Sequence, residues 1–179
     1  MDYKELIEKR RSCRTFTSEE IEPENVQMIL RAALLSPSAM NRRAWQFIVV
    51  DDKQDLEKLS DAKEAGSKLL KNAAMAVVVL GDVTQNDCWV EDGSIAAISM
   101  QYQAEELNIG SCWVEIRGRR LSDGTESESI VRGILQIPEQ LSVLCIIGFG
   151  KKAQQAQPRN LDELKWENVH INKYDETKE

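Results

Sequence analysis

The chain has 179 residues, 42% hydrophobic and 30% charged, the balance of one folded domain and not of a disordered segment. A net charge of -7 at pH 7 argues against general nucleic-acid or anionic-membrane binding, although a local basic pocket remains compatible with it. The cysteines Cys13, Cys88, Cys112 and Cys145 form no C-x-x-C pair and His170 is the only histidine, so zinc-ligand spacing is absent.

The first residues, Met1 to Glu5, are acidic and amphipathic, unlike a signal peptide. No apolar stretch approaches the roughly 20 residues that span a bilayer, so a cytoplasmic location is expected. Tyr3, Leu6 and Ile7 predict a short helix over residues 2–11, ending near Ser12. Pro23 suits a first helical position, and Val26, Ile29, Leu30, Ala33 and Leu34 form one apolar helix face. Ser36-Pro37-Ser38 stops that helix. Trp45 to Val50 reads as a strand, and Asp51 or Asp52 can cap a helix holding Leu56, Leu59, Leu69 and Leu70, with a break near Gly66.

Met75 to Leu80 is a continuous apolar run closed by Gly81, the pattern of a strand covered on both faces. A long helix rich in small residues follows from about Glu91 to Leu107, with Gly110 as its stop signal. Ser111 to Val114 reads as a short strand and Arg117 to Gly124 as a loop. Thr125 and Glu128 form a capping-box pattern ahead of Ile130, Val131, Ile134 and Leu135, and Ile137-Pro138 ends that helix. Leu141 to Gly150 is the clearest strand. The polar tail has the pattern of a short helix from Leu161 to Glu167, and Asp175 to Glu179 are expected to be mobile. This order predicts one sheet with helices on its faces, α/β or α+β.

Four segments carry candidate chemistry. Arg10, Arg11, Ser12 and Arg14 combine guanidinium groups with a hydroxyl, a set that suits phosphate. The same cations would also complement the negative end of the first helix, and both readings stay open. Ser36-Pro37-Ser38-Ala39-Met40-Asn41 is a polar turn able to offer N–H groups and an amide to a heterocycle, or only a turn. Gly110 in Asn108-Ile109-Gly110-Ser111 can bring bare backbone to a planar ligand, or act as a helix C-cap. Gly148-Phe149-Gly150 with Lys151, Lys152 and Arg159 can complete an anion site, or the lysines can simply face water. A G-x-S-x-G elbow and a Walker A pattern are both missing.

Taken in order, these segments resemble the FMN-dependent nitroreductase family. The matching pieces are Arg10-Arg11-Ser12-Cys13-Arg14-Thr15-Phe16, Ser36 to Asn41 with Trp45 and Phe47, Gly110-Ser111-Cys112-Trp113, Gly133 to Glu139, Ile147-Gly148-Phe149-Gly150 and Pro158 to Leu164. The resemblance implies one domain over residues 1–179 with a three-layer α/β/α architecture, its central sheet mainly antiparallel. It implies an intertwined homodimer, the tail from about residue 151 reaching toward the partner, with two FMN sites at the interface. Arg10, Arg11, Ser12 and Arg14, with Arg159, would hold the phosphate and ribityl chain. Pro37, Ser38, Ala39 and Asn41 would line the flavin ring from the partner subunit, and Gly110 and Ser111 would lie near its other side. NADH or NADPH would deliver hydride to the flavin, leave, and be replaced by a nitroaromatic, a quinone or a similar small acceptor. A flavin carrier with little turnover is the alternative. The run Asn41-Arg42-Arg43-Ala44-Trp45 departs from the family, which often has Gln and Pro before the tryptophan. The roles of Arg42, Arg43 and the Arg117–Arg120 loop are left open by the resemblance.

Overall fold

A computed structural model describes residues 1–175. The elements in chain order are α1 (Tyr3–Lys9), α2 (Pro23–Leu34), β1 (Trp45–Val50), α3 (Lys53–Ser60), β2 (Met75–Asp82), α4 (Trp89–Glu106), β3 (Ile109–Glu115), α5 (Ser127–Leu135) and β4 (Leu141–Lys151). The four strands form one sheet in the order β1-β2-β4-β3, and every neighbouring pair is antiparallel.

β2 is buried along its whole length, as its unbroken apolar run predicts. Its residues alternate between two cores. Ala76, Val78 and Leu80 face one, with Leu56, Leu59, Leu70 and Val131 from the α3–α5 layer. Met75, Val77 and Val79 face the other, with Ile29, Ala33, Ala97 and Met100 from α2 and α4. The result is three layers, α2 and α4 on one face of the sheet, α3 and α5 on the other. A β-bulge between Val79 and Leu80 shifts the register to β4, since Val79 pairs with Cys145 and Leu80 with Val143. Leu144, left without a partner there, joins Cys145 in the α4-side core. Gly93 of α4 makes room for it: a Cβ on Gly93 would lie 2.7 Å from Leu144 Cδ2.

Several local expectations are corrected. The helix over Leu56 and Leu59 ends at Ser60, and Leu69 and Leu70 lie in a separate 3-10 turn over Lys68–Asn72. Thr125 and Glu128 form no capping box. Glu126 is the N-cap, and the Glu128 carboxylate instead accepts Val143 N–H at 3.0 Å and Arg132 Nη2 at 2.9 Å, tying α5 to β4. The tail carries two 3-10 turns, Leu161–Glu163 and Trp166–Asn168, in place of one helix. Of the expected mobile end, Glu176 to Glu179 lie outside the described residues. No helix among the described residues is long and apolar enough to cross a membrane.

Candidate flavin site

Arg10 is the extended residue that ends α1. The chain beyond it lies across the ends of β3 and β4. Ser12 forms a parallel bridge with Ser111, and Cys13 N–H donates to the Ser111 carbonyl at 2.9 Å. Phe16 bridges Lys152, Thr17 N–H donates to Lys151 and Ala153 N–H to Thr15. Two directly paired glycines, Gly110 and Gly150, create the seat for this segment. A Cβ on Gly110 would lie 2.7 Å from Cys13 Sγ and 2.9 Å from Cys13 Cβ, and one on Gly150 would lie 2.7 Å from Phe16 Cγ.

This geometry overturns the C-cap alternative for Gly110. Asn108, at φ 58°, is the left-handed residue after α4, so Gly110 is no C-cap and lies inside β3. Its side-chain direction is filled by Cys13, so the chain's own packing requires a glycine here. Ser111, buried at 3% exposure, anchors the segment through its backbone.

The arginine run divides its tasks. Arg10 Nη1 turns toward Gln101 of α4 at 3.3 Å. Arg11 Nη1 donates to the Gln157 carbonyl at 2.7 Å, and Arg159 N–H donates to Glu8 at 3.0 Å, which ties the tail to α1. Arg11, Ser12 and Arg14 line a cavity of about 150 Å³ together with Lys9, Lys152 and Glu105. Arg10 is not among its walls, and Arg11 also borders the neighbouring hollow that Arg159 lines. Arg14 and Ser12 are both exposed. Lys152 does not face water, the simpler of its two expected fates: its Nζ pairs with Glu105 at 2.6 Å, with both side chains under 10% exposed. Burial pushes the Cys112 thiol up, against the opposing charge of Arg14 and a hydrogen bond with Ser12.

The Ser36–Asn41 turn is built elsewhere. Ser36 Oγ bonds to the Ala32 carbonyl and the Ser99 hydroxyl, fixing the end of α2 on α4. Met40, Asn41 and Arg43 all have φ between 51° and 54°, a left-handed conformation costly for residues with a Cβ. The surroundings hold it. Asp92 Oδ1 accepts Ala39 N–H at 2.8 Å, and Ser38 Oγ accepts Arg43 N–H at 3.0 Å. Arg42 Nη1 donates to Gln85 and Arg43 Nε to Asn41 Oδ1, so these two arginines brace the turn. Those bonds use Ser38 and Asn41 as acceptors and leave the Ser38 O–H and Asn41 Nδ2 to donate. Pro37 and Asn41 are exposed, Ser38 and Ala39 half-buried.

Within one chain the turn and the arginine run do not meet. Ala39 of the turn bonds to Asp92 and Arg10 to Gln101, nine residues apart on α4 and so about 14 Å along its axis, although Ser36 at the start of the turn bonds to Ser99. The turn leads into β1 at Trp45, which pairs with Gly81, whereas Ser12 sits at the opposite end of the sheet beside Ser111. Sequence reasoning missed Asp92 and Trp89. Trp89 covers Gly81, where a Cβ would lie 2.6 Å from Trp89 Cε3, and the Arg117 guanidinium stands 5.8 Å from the Trp89 ring centroid. Arg120 pairs with Glu126 at 2.5 Å. Nothing in the local sequence pattern announces these long-range partners.

The nitroreductase family model matches residues 7–78 and 61–151. A putative NADH dehydrogenase/NAD(P)H nitroreductase of Archaeoglobus fulgidus is 37% identical over 81% of this chain and 82% of its own. Its counterpart from Methanothermobacter thermautotrophicus is 32% identical over 97% of this chain and 88% of its own. The solved structure of an FMN-dependent nitroreductase from Clostridium difficile R20291 superposes with a TM-score of 0.92 at 42% identity, covering 94% of this chain and 98% of that one. The arginine segment, the glycine seat and the wholly antiparallel sheet lie within the matched residues, and the chain belongs to the nitroreductase family.

Proposed function

We propose that this protein binds FMN and uses NADH or NADPH to reduce a nitroaromatic, a quinone or a similar small electron-poor acceptor. The observation that carries the reading is the exposed donor set of Arg14 and Ser12 beside Arg11 and Lys9 in a chain of net charge -7. A dianionic phosphate fits such a set, since charge-assisted hydrogen bonds to guanidinium are the strong ones. The names of its relatives agree, one an FMN-dependent nitroreductase and two named putative NADH dehydrogenase/NAD(P)H nitroreductases.

The roles of the chain's residues follow. Ser12 and Arg14, with Arg11 and Arg159, hold the phosphate end, and Arg10 flanks it from the α4 side. Gly110 and Ser111 act by seating that segment. Ser38 O–H and Asn41 Nδ2 donate to the ring's carbonyl acceptors, while Pro37 and Ala39 shape the turn. In this reading the protein is a homodimer in which the Ser38–Asn41 turn serves the arginine run of a second copy; the support is that the turn leads into β1 at the end of the sheet opposite Ser12. FMN supplies the hydride chemistry when bound; the protein orients it and sets its polarity. No side-chain acid or base is required, and donor and acceptor occupy the same place in turn.

Initial rates measured against both substrates test this alternation. Ping-pong exchange predicts parallel double-reciprocal lines; intersecting lines would contradict it.

A further inference from the structure

Beneath the Ser38–Asn41 turn lies a pair of buried side chains, Asp92 and Asn86, that no sequence motif singles out. Asp92 is 3% exposed and Asn86 2%. Asp92 Oδ1 accepts Ala39 N–H at 2.8 Å and its Oδ2 accepts Asn86 Nδ2 at 2.6 Å. Asn86 Oδ1 in turn accepts Cys88 N–H at 3.1 Å, just ahead of α4. An uncompensated buried carboxylate is costly, and here its two oxygens are occupied by donors from two different loops. One donor is the backbone of the turn whose next residues carry the unfavourable positive φ values.

We infer that Asp92, oriented by Asn86, is a positioning residue that holds the Ser38–Asn41 turn in the conformation that presents Ser38 and Asn41 to the flavin ring. This rests on the flavin reading proposed above. Asp92 makes no contact with the ring; it acts through Ala39. The wiring is specific enough to be exchanged. In the double variant Asn86→Asp with Asp92→Asn, the new amide at position 92 can accept Ala39 N–H through its oxygen and donate through its nitrogen to the new carboxylate at position 86. That carboxylate can still accept Cys88 N–H. Each single variant breaks the pattern. Asp92→Asn sets two amide NH2 groups against one another, and Asn86→Asp sets two carboxylates against one another.

The test is titration of FMN, and separately of riboflavin, into flavin-free wild type, Asp92→Asn, Asn86→Asp and the double variant, reading the Kd and the visible absorption maximum of bound flavin. Loss of one charge-assisted hydrogen bond predicts Kd about tenfold or more higher in each single variant, by the same factor for FMN and riboflavin because the phosphate grip is untouched. A shifted absorption maximum is expected in the singles, with affinity and spectrum both returning in the double variant. If the singles fail to fold, the double variant alone carries the test: wild-type affinity and spectrum support the inference, and weakened binding overturns it. Wild-type affinity and spectrum in folded Asp92→Asn, or a double variant no better than the singles, overturn it. A wild type that binds neither flavin overturns the functional reading itself, a result separable from those two.

Discussion

Gly110 is a glycine because Cys13 stands where its side chain would be. Gly110→Ala must therefore displace the Ser12–Cys13 backbone from Ser111. An overpacking cost of about 1–3 kcal/mol is expected, with weakened FMN binding alongside it; thermal unfolding and flavin titration read the two effects. Arg14→Ala removes an exposed guanidinium from the cavity wall, and FMN affinity should fall by about 1.5–3 kcal/mol, the scale of a hydrogen bond to a charged group. Riboflavin, which lacks the phosphate, should bind Arg14→Ala as it binds wild type, and equal losses for both ligands would tell against the phosphate role. The residue types were legible in the sequence, since guanidinium, hydroxyl and glycine each carry a known chemistry. Their division of labour was not. That Arg10 turns to Gln101 while Arg11 lines the cavity depends on where α4 lies, and no local spacing encodes that. Cys145 gives a pH signature. Burial holds its thiol well above the ordinary 9.0, so the unfolded chain loses that proton first. Its contribution to stability is then constant below about pH 8 and declines as pH rises through 9, which urea unfolding across pH 7–10 would detect; Cys145→Ala should make that decline shallower, leaving the share of the raised Cys112 thiol.

At the scale of elements, the Glu105–Lys152 pair links the last turn of α4 to the end of β4 under the arginine segment. Breaking a buried pair leaves an uncompensated charge, so Lys152→Ala should destabilise by about 3–5 kcal/mol, while a paired Glu105→Met and Lys152→Met change should cost far less. Chemical denaturation of the wild type and both variants checks this, and a double variant as unstable as Lys152→Ala would refute it. β1, β2 and β4 could be read from sequence because long apolar runs of β-branched residues leave few alternatives. Leu56, Leu59, Leu69 and Leu70 all face one core and so read as one apolar pattern; the chain does turn at Gly66, φ 86°, but α3 ends earlier, at Ser60, and Leu69 and Leu70 fall in a 3-10 turn. The capping box failed because Glu128 finds a better donor in Val143, far away in sequence. Tertiary partners override local motifs at these points, and they do so where the chain must be tied across elements.

At the scale of the molecule, Ala39 of the Ser36–Asn41 turn bonds to Asp92 in the first turn of α4, and Arg10 bonds to Gln101 toward its other end. The tail adds exposed apolar side chains, Leu161, Leu164, Trp166, Val169 and Ile171, that a lone subunit leaves in water. Both features fit a subunit completed by a second copy, and light scattering should give twice the chain mass. Truncation after Asn160 should weaken the dimer and FMN binding together, whereas loss of neither would show that the tail serves neither. The assembled protein is expected to carry flavin that a nicotinamide can reduce. The most direct measurement is the visible absorption spectrum of the purified protein, supplemented with FMN and titrated anaerobically with NADH and with NADPH. A bound-flavin band that bleaches with at least one nicotinamide and returns on adding a quinone is the predicted result. A protein that stays colourless after incubation with FMN and removal of the unbound flavin would contradict it.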